Sequence, residues 1–382
     1  MRKKEISFVA DVLAENPRFR EAEDLDWYFI LGYLELNKVC GYFYGRAREL
    51  GVPLPQGVLR RLAQTAAVQE ERNEQMREYI GEIGKKLKGA KIGYAFLKGA
   101  VLSNANLRMS ELAFTCFAYS PVSLAKYESY RNDVFYKAGE RVSNDVDLLV
   151  RPADVGAVSA ILKDMGFVQG YYDFFKGRIV GLDRAEIVSR RMNRGETAPF
   201  LKKTAGSALP FIEVDVNFSL GYLPNDNGKM LDEILENAVD YAGLIDGGVR
   251  GLSAGDFFAH LIMHQYKESS LYSMVERGKD LELYKFLDLY LFIKRGLVDF
   301  TGLSYLVKKY GLERETYAVL SDLARIFDDL PLEGFLDTVR PRESEAEVSD
   351  PASGKKYAWR ADFDERLAAF EKCRLLEIRR ET

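Results

Sequence analysis

Residues 143–150 read SNDVDLLV, and two carboxylates one residue apart stand at the head of this otherwise apolar run. Successive side chains of an extended strand point to opposite faces, so Asp145 and Asp147 share one face while Val146 and Leu148 share the other. Neighbouring like charges repel, and each carboxylate raises the cost of ionising the other. The stretch therefore predicts a buried strand whose acidic face is bridged by a cation, a proton or a basic partner.

Two further strands are predicted around this one. The short apolar run at 92–97 reads as a buried strand, and the dipeptide Lys98-Gly99 ends it. Downstream, the stretch FIEVDVNFSL at 211–220 alternates between polar and apolar residues, and Asp215 lies on its polar face. A second strand with acids along one face is therefore expected.

Three acids converge on one point if these strands are neighbours that face the same way. An Asp-x-Asp pair alone often only flanks a loop or caps a helix, but Asp215 and the Lys98-Gly99 turn in this order favour a metal site. Carboxylate oxygens suit Mg²⁺, which prefers carboxylates together with substrate phosphates. Gly99 lets backbone amides approach a phosphate. By itself, Lys98 is more typical of a solvated surface lysine, and its position directly before Gly99 is what favours a role in the site.

The remaining sequence is mainly helical in its periodicity, so the fold class predicted is α+β, with a small mixed β-sheet core flanked by N-terminal helices and a helical C-terminal region. After the GYLPNDNG turn, the chain is expected to be helical, and a last helix is expected in DFDERLAAFEKCRLLEIRR. The predicted segments are an N-terminal helical region at 1–90, an α/β core at 91–225 with an insertion at 107–140, a helical domain at 226–335, and a linker with a terminal helix at 336–382.

The composition of the chain disfavours several classes of protein. The 382 residues include 54 basic and 58 acidic side chains, a net charge of −4, which gives no overall attraction to nucleic acid or to an anionic membrane. The three cysteines are far apart and lack metal-ligand spacing, so neither a disulfide framework nor a zinc site is expected. No signal peptide or spanning segment is visible, and the sequence predicts a cytoplasmic protein without a membrane partner.

The order LKGA, DVDLLV, VDV resembles the DNA polymerase β-like nucleotidyltransferase superfamily, which carries a glycine-containing turn, an Asp-x-Asp strand and a third acid on a later strand. More narrowly, the span from about 69 to 330 resembles the family labelled uncharacterised nucleotidyltransferases. The resemblance lies in NEQMREYIGEIGKKLKGAKIGYAFLKG, RVSNDVDLLVRPADVGAVSAILKDMGF, IEVDVNFSL, HLIMHQYKE and YKFLDLYLF.

The resemblance implies roles for individual residues. Asp145, Asp147 and Asp215 are implied as catalytic residues and metal ligands, with Asp215 helping to activate the acceptor hydroxyl. The residues implied in nucleotide binding are Lys98, Gly99, Ala100, Arg141 and Ser143. Arg141 is equally consistent with a structural role in neutralising the acidic pair. The chain departs from the common pattern at Ala100, where the superfamily often has a second glycine or a serine, and at Asn217 and Phe218, where related sequences often have His and Trp.

The implied reaction is Mg²⁺-dependent transfer of a nucleoside monophosphate from an NTP to a hydroxyl, with release of pyrophosphate. Mn²⁺ is the alternative ion, and ATP is one candidate donor. The acceptor is expected to be a small molecule, a peptide or a protein rather than a nucleic acid, because the net charge is near zero. Two alternatives stay open, a catalytically degenerate nucleotide-binding or partner-binding module of the same fold and a sugar-transferring enzyme that uses Asp-x-Asp. The sequence does not indicate an oligomeric state.

The only two histidines, His260 and His264, lie four residues apart on one predicted helix face. No Glu follows His260 to complete a His-Glu-x-x-His motif, and a third His is lacking. Packing or substrate contact is therefore favoured over a metal site. Of the two, His264 is the candidate for substrate binding.

Overall fold

The computed structural model describes residues 3–15, 24–107, 135–206, 208–224, 227–341 and 347–379. The chain forms two compact units, one built from residues 1–62 and 258–382 and the other from residues 63–257. We call the first the helical unit and the second the sheet unit. Within the described ranges, no helix has both the length and the apolar character that a membrane span requires.

The described parts of the chain contain the following helices and strands. The helices are α1 (Lys4–Leu13), α2 (Trp27–Leu36), α3 (Cys40–Glu49), α4 (Gln56–Gly89), α5 (Gly99–Leu102), α6 (Val155–Asp164), α7 (Arg184–Asn193), α8 (Gly228–Glu236), α9 (Ala254–Ser270), α10 (Tyr272–Glu276), α11 (Leu283–Lys294), α12 (Phe300–Tyr310), α13 (Glu313–Ile326), α14 (Glu333–Thr338) and α15 (Phe363–Ala368). The strands are β1 (Tyr94–Phe96), β2 (Val146–Val150), β3 (Val168–Asp173), β4 (Arg178–Gly181), β5 (Phe200–Lys203), β6 (Phe211–Asn217), β7 (Val239–Tyr241), β8 (Val249–Gly251), β9 (Val348–Asp350), β10 (Lys355–Trp359) and β11 (Leu376–Ile378).

The sheet unit carries eight strands in the order β4-β3-β5-β6-β2-β1-β8-β7. The pairs β2/β6 and β1/β8 are parallel, and the other neighbouring pairs are antiparallel. All five residues of β2 are buried, as expected for a central strand covered on both faces. The predicted α+β class with a mixed sheet is confirmed.

The helix α4 packs through a stripe of residues spaced three and four apart. Its apolar members within the sheet unit are Met76, Ile80, Ile83 and Leu87, all at most 1% exposed. This spacing places them on one face of a 3.6-residue helix, so their burial holds α4 against the rest of the unit. Farther toward the start of α4, the same stripe continues with polar residues that matter for the candidate site.

The helical unit contains a cluster of buried charges around Asp280, which is fully buried. Lys372 Nζ lies 3.1 Å from Asp280 Oδ1, and Arg366 lies 4.0 Å from the same carboxylate. The Arg366 guanidinium also stacks on Trp359, 4.0 Å from the ring centroid. A buried carboxylate is tolerated only with such partners, because an unpaired buried charge is strongly destabilising.

Two secondary-structure predictions are wrong. The segment expected to be helical after residue 226 contains the hairpin β7/β8, whose three-residue strands are too short for a recognisable alternation. Its turn contains Gly247 and Gly248, both at positive φ, which glycine adopts without strain. The last helix covers only α15, because the backbone at Ala369 becomes extended and β11 then pairs with β10. The predicted limits of the domains stay a prediction, and most of the predicted insertion, at 108–134, lies outside the described residues.

Candidate active site

Strand pairing sets the position of the acids. Asp147 on β2 and Asp215 on β6 are directly opposite each other in the parallel register. Paired residues of neighbouring strands point to the same face, with the strands about 4.8 Å apart. Asp145 lies two residues before Asp147, immediately ahead of β2, and the charge of Asp145 acts on Asp215. The structure therefore brings together the three carboxylates that the sequence predicts.

Asp147 is 5% exposed and has two close donors. Lys98 Nζ lies 2.9 Å from Asp147 Oδ1, a charge-assisted hydrogen bond. Asn217 Nδ2 donates to the same oxygen over 3.4 Å. Lys98 is thus placed against the acids and is not a solvated surface lysine.

The environment of Asp215 disfavours its ionised form. Burial raises the pKa of Asp215 well above its usual range, and the charges of Asp145 and Asp147 raise it further. Glu213 and Glu196 act in the same direction over longer distances. Desolvation is the largest cause of this shift, and the neighbouring carboxylates add to it. A nearby cation is what such a cluster needs in order to ionise fully.

The donor set fits Mg²⁺ by its chemistry, since three carboxylates are hard oxygen ligands. Within the described ranges, no three His, Cys, Asp or Glu side chains are already gathered around a single metal position. The Lys98 ammonium neutralises Asp147 in this arrangement. Asp145, Asp147 and Asp215 are the residues that would hold the ion.

The Lys98-Gly99 turn has an unusual backbone. Lys98 has φ 47° and ψ −126°, a conformation that side chains other than glycine rarely adopt and that costs about 1–3 kcal/mol. Such strain concentrates at functional sites. The turn leads into α5, which spans only four residues. Ala100 is buried, and its N–H already donates to Leu97 O over 3.2 Å, so this amide is committed within the turn.

Gly99 is required by the close approach of Ser143. A Cβ atom on Gly99 would lie 2.3 Å from Ser143 Oγ and 2.7 Å from Ser143 Cβ. The Ser143 hydroxyl donates to the carbonyl oxygen of Asp145 over 3.1 Å. Glycine at 99 therefore lets the turn after β1 pack directly on the segment that carries the Asp pair.

Two buried amide side chains next to the acids were missed by the sequence analysis. Gln69 and Asn73 of α4 are each 4% exposed, and Gln69 Nε2 donates to Asn73 Oδ1 over 2.8 Å. Gln69 Nε2 also donates to Ser143 O over 3.4 Å, and Asn73 Nδ2 donates to Arg141 O over 3.1 Å. The two amides fix the backbone that leads into Asp145. The signal was their position in the apolar stripe of α4, where a polar residue implies a buried hydrogen-bond partner.

The remaining predicted contacts are placed as follows. Arg141 is 4% exposed, and its role in nucleotide binding stays a prediction. His264 belongs to the helical unit, where its Nε2 lies 3.4 Å from Glu268 Oε2 and its ring stacks with His260 at a centroid distance of 6.2 Å. Substrate binding by His264 also stays a prediction.

We expect Gly99→Ala to impair the site while leaving the fold intact. The new methyl group displaces Ser143 and with it the segment before Asp145, and displacements of about 1 Å at a catalytic centre cost on the order of 100-fold in rate. The measurement is the steady-state rate of pyrophosphate release, with circular dichroism as the check on folding. The double variant Gly99→Ala/Ser143→Gly restores space and should recover part of the rate.

The matched control is Gly156→Ala, a helical glycine of the sheet unit with nothing within 4 Å of the added Cβ. It should leave the rate unchanged. An unimpaired Gly99→Ala variant would contradict the packing role assigned to this glycine.

A mixed sheet that gathers carboxylates of two adjacent strands beside a lysine-glycine turn is the arrangement of the nucleotidyltransferases that the sequence resembles. The chain belongs to the family described as "Uncharacterised nucleotidyltransferase", which matches residues 19–112 and 124–328. No curated protein and no solved structure shows a significant match to the chain.

Proposed function

We propose that the sheet unit catalyses Mg²⁺-dependent transfer of a nucleoside monophosphate from an NTP to a hydroxyl group and releases pyrophosphate. The observation that carries the proposal is the in-register pairing of Asp147 with Asp215, next to Lys98. The family gives the general class of reaction, nucleotidyl transfer. Metal dependence and the kind of acceptor are parts of the proposal.

Each residue has a role in the proposed reaction. Lys98 binds the phosphates of the NTP and exchanges its contact with Asp147 for a contact with a phosphate oxygen. The close packing of Gly99 on Ser143 holds the turn that carries Lys98 against the segment of the Asp pair. Asp215, the third acid, accepts the proton of the acceptor hydroxyl as general base. When bound, Mg²⁺ supplies positive charge to the phosphates and to the attacking oxygen.

The test is to incubate the protein with each NTP in turn, with Mg²⁺ or Mn²⁺, and a fractionated extract as the source of acceptor. We expect pyrophosphate release together with a product that keeps the label of an α-phosphate-labelled NTP. Chelation of the divalent ion should abolish both signals, and added Mg²⁺ should restore them.

The outcomes separate the two classes that the sequence leaves open. Nucleotide binding without pyrophosphate release from any NTP would favour the degenerate binding module. Transfer of a sugar from a nucleotide sugar, with no need for Asp215, would favour the sugar-transferring enzyme. Pyrophosphate and labelled product in equal amounts would support the proposed reaction.

A further inference from the structure

A pocket of about 530 Å³ lies in the sheet unit beside the acids. This volume is in the range of small-molecule sites. Its lining includes Arg72 of α4, Asn144 next to Asp145, and Glu213 of β6. Part of its wall is aromatic and includes Tyr172, Phe174 and Phe211.

The three rings of the aromatic wall contact one another. Tyr172 and Phe211 stack with their ring centroids 4.3 Å apart and an interplanar angle of 19°. Phe174 meets both rings edge-on, at 5.1 Å from Tyr172 and 6.0 Å from Phe211. Phe174 is nevertheless 75% exposed, which is unusual for a phenylalanine in a cluster. The wall therefore offers aromatic surface on which a further ring can pack.

The pocket is continuous with the catalytic face of the sheet. Glu213 and Asp215 are two residues apart on the same face of β6, a separation of about 7 Å. At the other end of the acid cluster, Asn144 directly precedes Asp145. A molecule in the pocket can thus bring a hydroxyl to Asp215 while its ring rests on the wall.

The order of the strands sets the direction of the reaction. The Lys98-Gly99 turn follows β1, on one side of the acid-bearing pair β2 and β6. The pocket is lined from β3, from Pro199 just before β5 and from the first residues of β6, and β5 and β3 lie on the other side of that pair. In an in-line displacement, the attacking and leaving oxygens lie on opposite sides of the phosphorus. With the pyrophosphate at Lys98, the acceptor oxygen must arrive from the side of the pocket.

We propose that this pocket binds the acceptor, and that the acceptor is a molecule with a planar aromatic ring and a hydroxyl group on a short arm. The inference rests on the proposed function and names the substrate class of the same site. The ring packs on Tyr172, Phe174 and Phe211. Arg72 and Glu213 flank the ring, so the pocket offers one positively charged and one negatively charged contact.

The proposed transfer step forms one bond to phosphorus and breaks one. The acceptor hydroxyl gives its proton to Asp215, and its oxygen forms a new bond to the α-phosphorus. The bond between that phosphorus and the bridging oxygen breaks, and the bridging oxygen leaves with its electron pair as part of pyrophosphate. Nothing is oxidised or reduced.

The experiment compares two probes that differ only in the ring, 2-phenylethanol and 2-cyclohexylethanol. Binding is measured by ligand-detected NMR on the full chain with Mg²⁺ and NTP, and pyrophosphate release is measured with each probe as acceptor. We expect 2-phenylethanol to bind about 2- to 10-fold more tightly, the range of one aromatic pair, and to stimulate pyrophosphate release more than 2-cyclohexylethanol does.

The variants Phe211→Leu and Tyr172→Leu keep an apolar side chain of similar size and should abolish the preference for 2-phenylethanol. Phe175→Ala is the matched control, because Phe175 is fully exposed next to Phe174 and does not line the pocket. The control should keep the preference. The affinity for the NTP should be the same in all these proteins.

Equal binding of the two probes, or an unchanged preference in Phe211→Leu, would overturn the inference. A weaker affinity for the NTP in Phe211→Leu would also overturn it, because the pocket would then hold the nucleobase. Failure of the proposed function gives a different result, in which no protein releases pyrophosphate although 2-phenylethanol still binds at the aromatic wall.

Discussion

Asp147→Asn should abolish nucleotidyl transfer and leave the fold intact. The amide keeps the size of the carboxylate and its hydrogen bond from Asn217, but it removes the charge that faces Lys98 and that would hold Mg²⁺ in the proposed reaction. Loss of charge stabilisation of several kcal/mol lowers the rate at least about 1,000-fold, equivalent to about 4 kcal/mol. Asp145→Asn should act in the same way. The measurements are pyrophosphate release and the circular dichroism spectrum.

The control is Asp164→Asn, an exposed carboxylate at the end of α6 in the same unit. It carries the same change of charge away from the acids and should leave the rate unaffected. Retention of transfer by both Asp145→Asn and Asp147→Asn would remove the basis of the proposed function.

The second large effect is expected in stability rather than in catalysis. Asp280→Ala leaves Lys372 buried without its carboxylate, and an uncompensated buried charge costs about 3–5 kcal/mol. Arg366 loses its contact with Asp280 but keeps the charge of Asp322. Burial already lowers the pKa of Lys372, and its pairing with Asp280 opposes that shift. Trp27 and Trp359, the only tryptophans, both belong to the helical unit. Tryptophan fluorescence during urea unfolding therefore reports on this unit alone.

An exposed ion pair of the same unit provides the comparison. Arg340 lies 2.9 Å from Asp337, with both side chains at least 60% exposed, so Asp337→Ala should change the urea midpoint little. The double variant Asp280→Ala/Lys372→Met should be less destabilised than the sum of the two single variants, because one stranded charge is removed. An equal midpoint for Asp280→Ala and Asp337→Ala would disprove the importance of the buried cluster.

The sequence alone predicted that Asp145 and Asp147 share one face, because this depends only on residues that are close together in the chain. Alternation along a strand fixes which side chains share a face, so Asp145 and Asp147 had to lie together. That β2 and β6 are adjacent, with Asp147 opposite Asp215, is a non-local fact that order along the chain only suggested. The resemblance to nucleotidyltransferases supplied it.

Other parts of the site depend on tertiary packing and could not be predicted from the sequence. The aromatic wall forms because β3 and β6 are brought together across β5, although Tyr172 and Phe211 are far apart in the chain. The hairpin β7/β8 was missed because three-residue strands carry almost no periodicity. In contrast, Gln69 and Asn73 could have been predicted to have buried hydrogen-bond partners, because both amides lie in the buried stripe of a helix.

The discontinuous make-up of the helical unit has a consequence for biosynthesis. Asn37 Oδ1 accepts the backbone N–H of Leu283 over 3.0 Å, and the two residues are 246 positions apart. A ribosome that adds about 5–20 residues per second needs roughly 10–50 s to pass from one to the other. During this interval, all of the contiguous residues 63–257 emerge, while α1, α2 and α3 still wait for their later partners. The nascent chain therefore completes the sequence of its sheet unit before the later partners of α1, α2 and α3 have been synthesised.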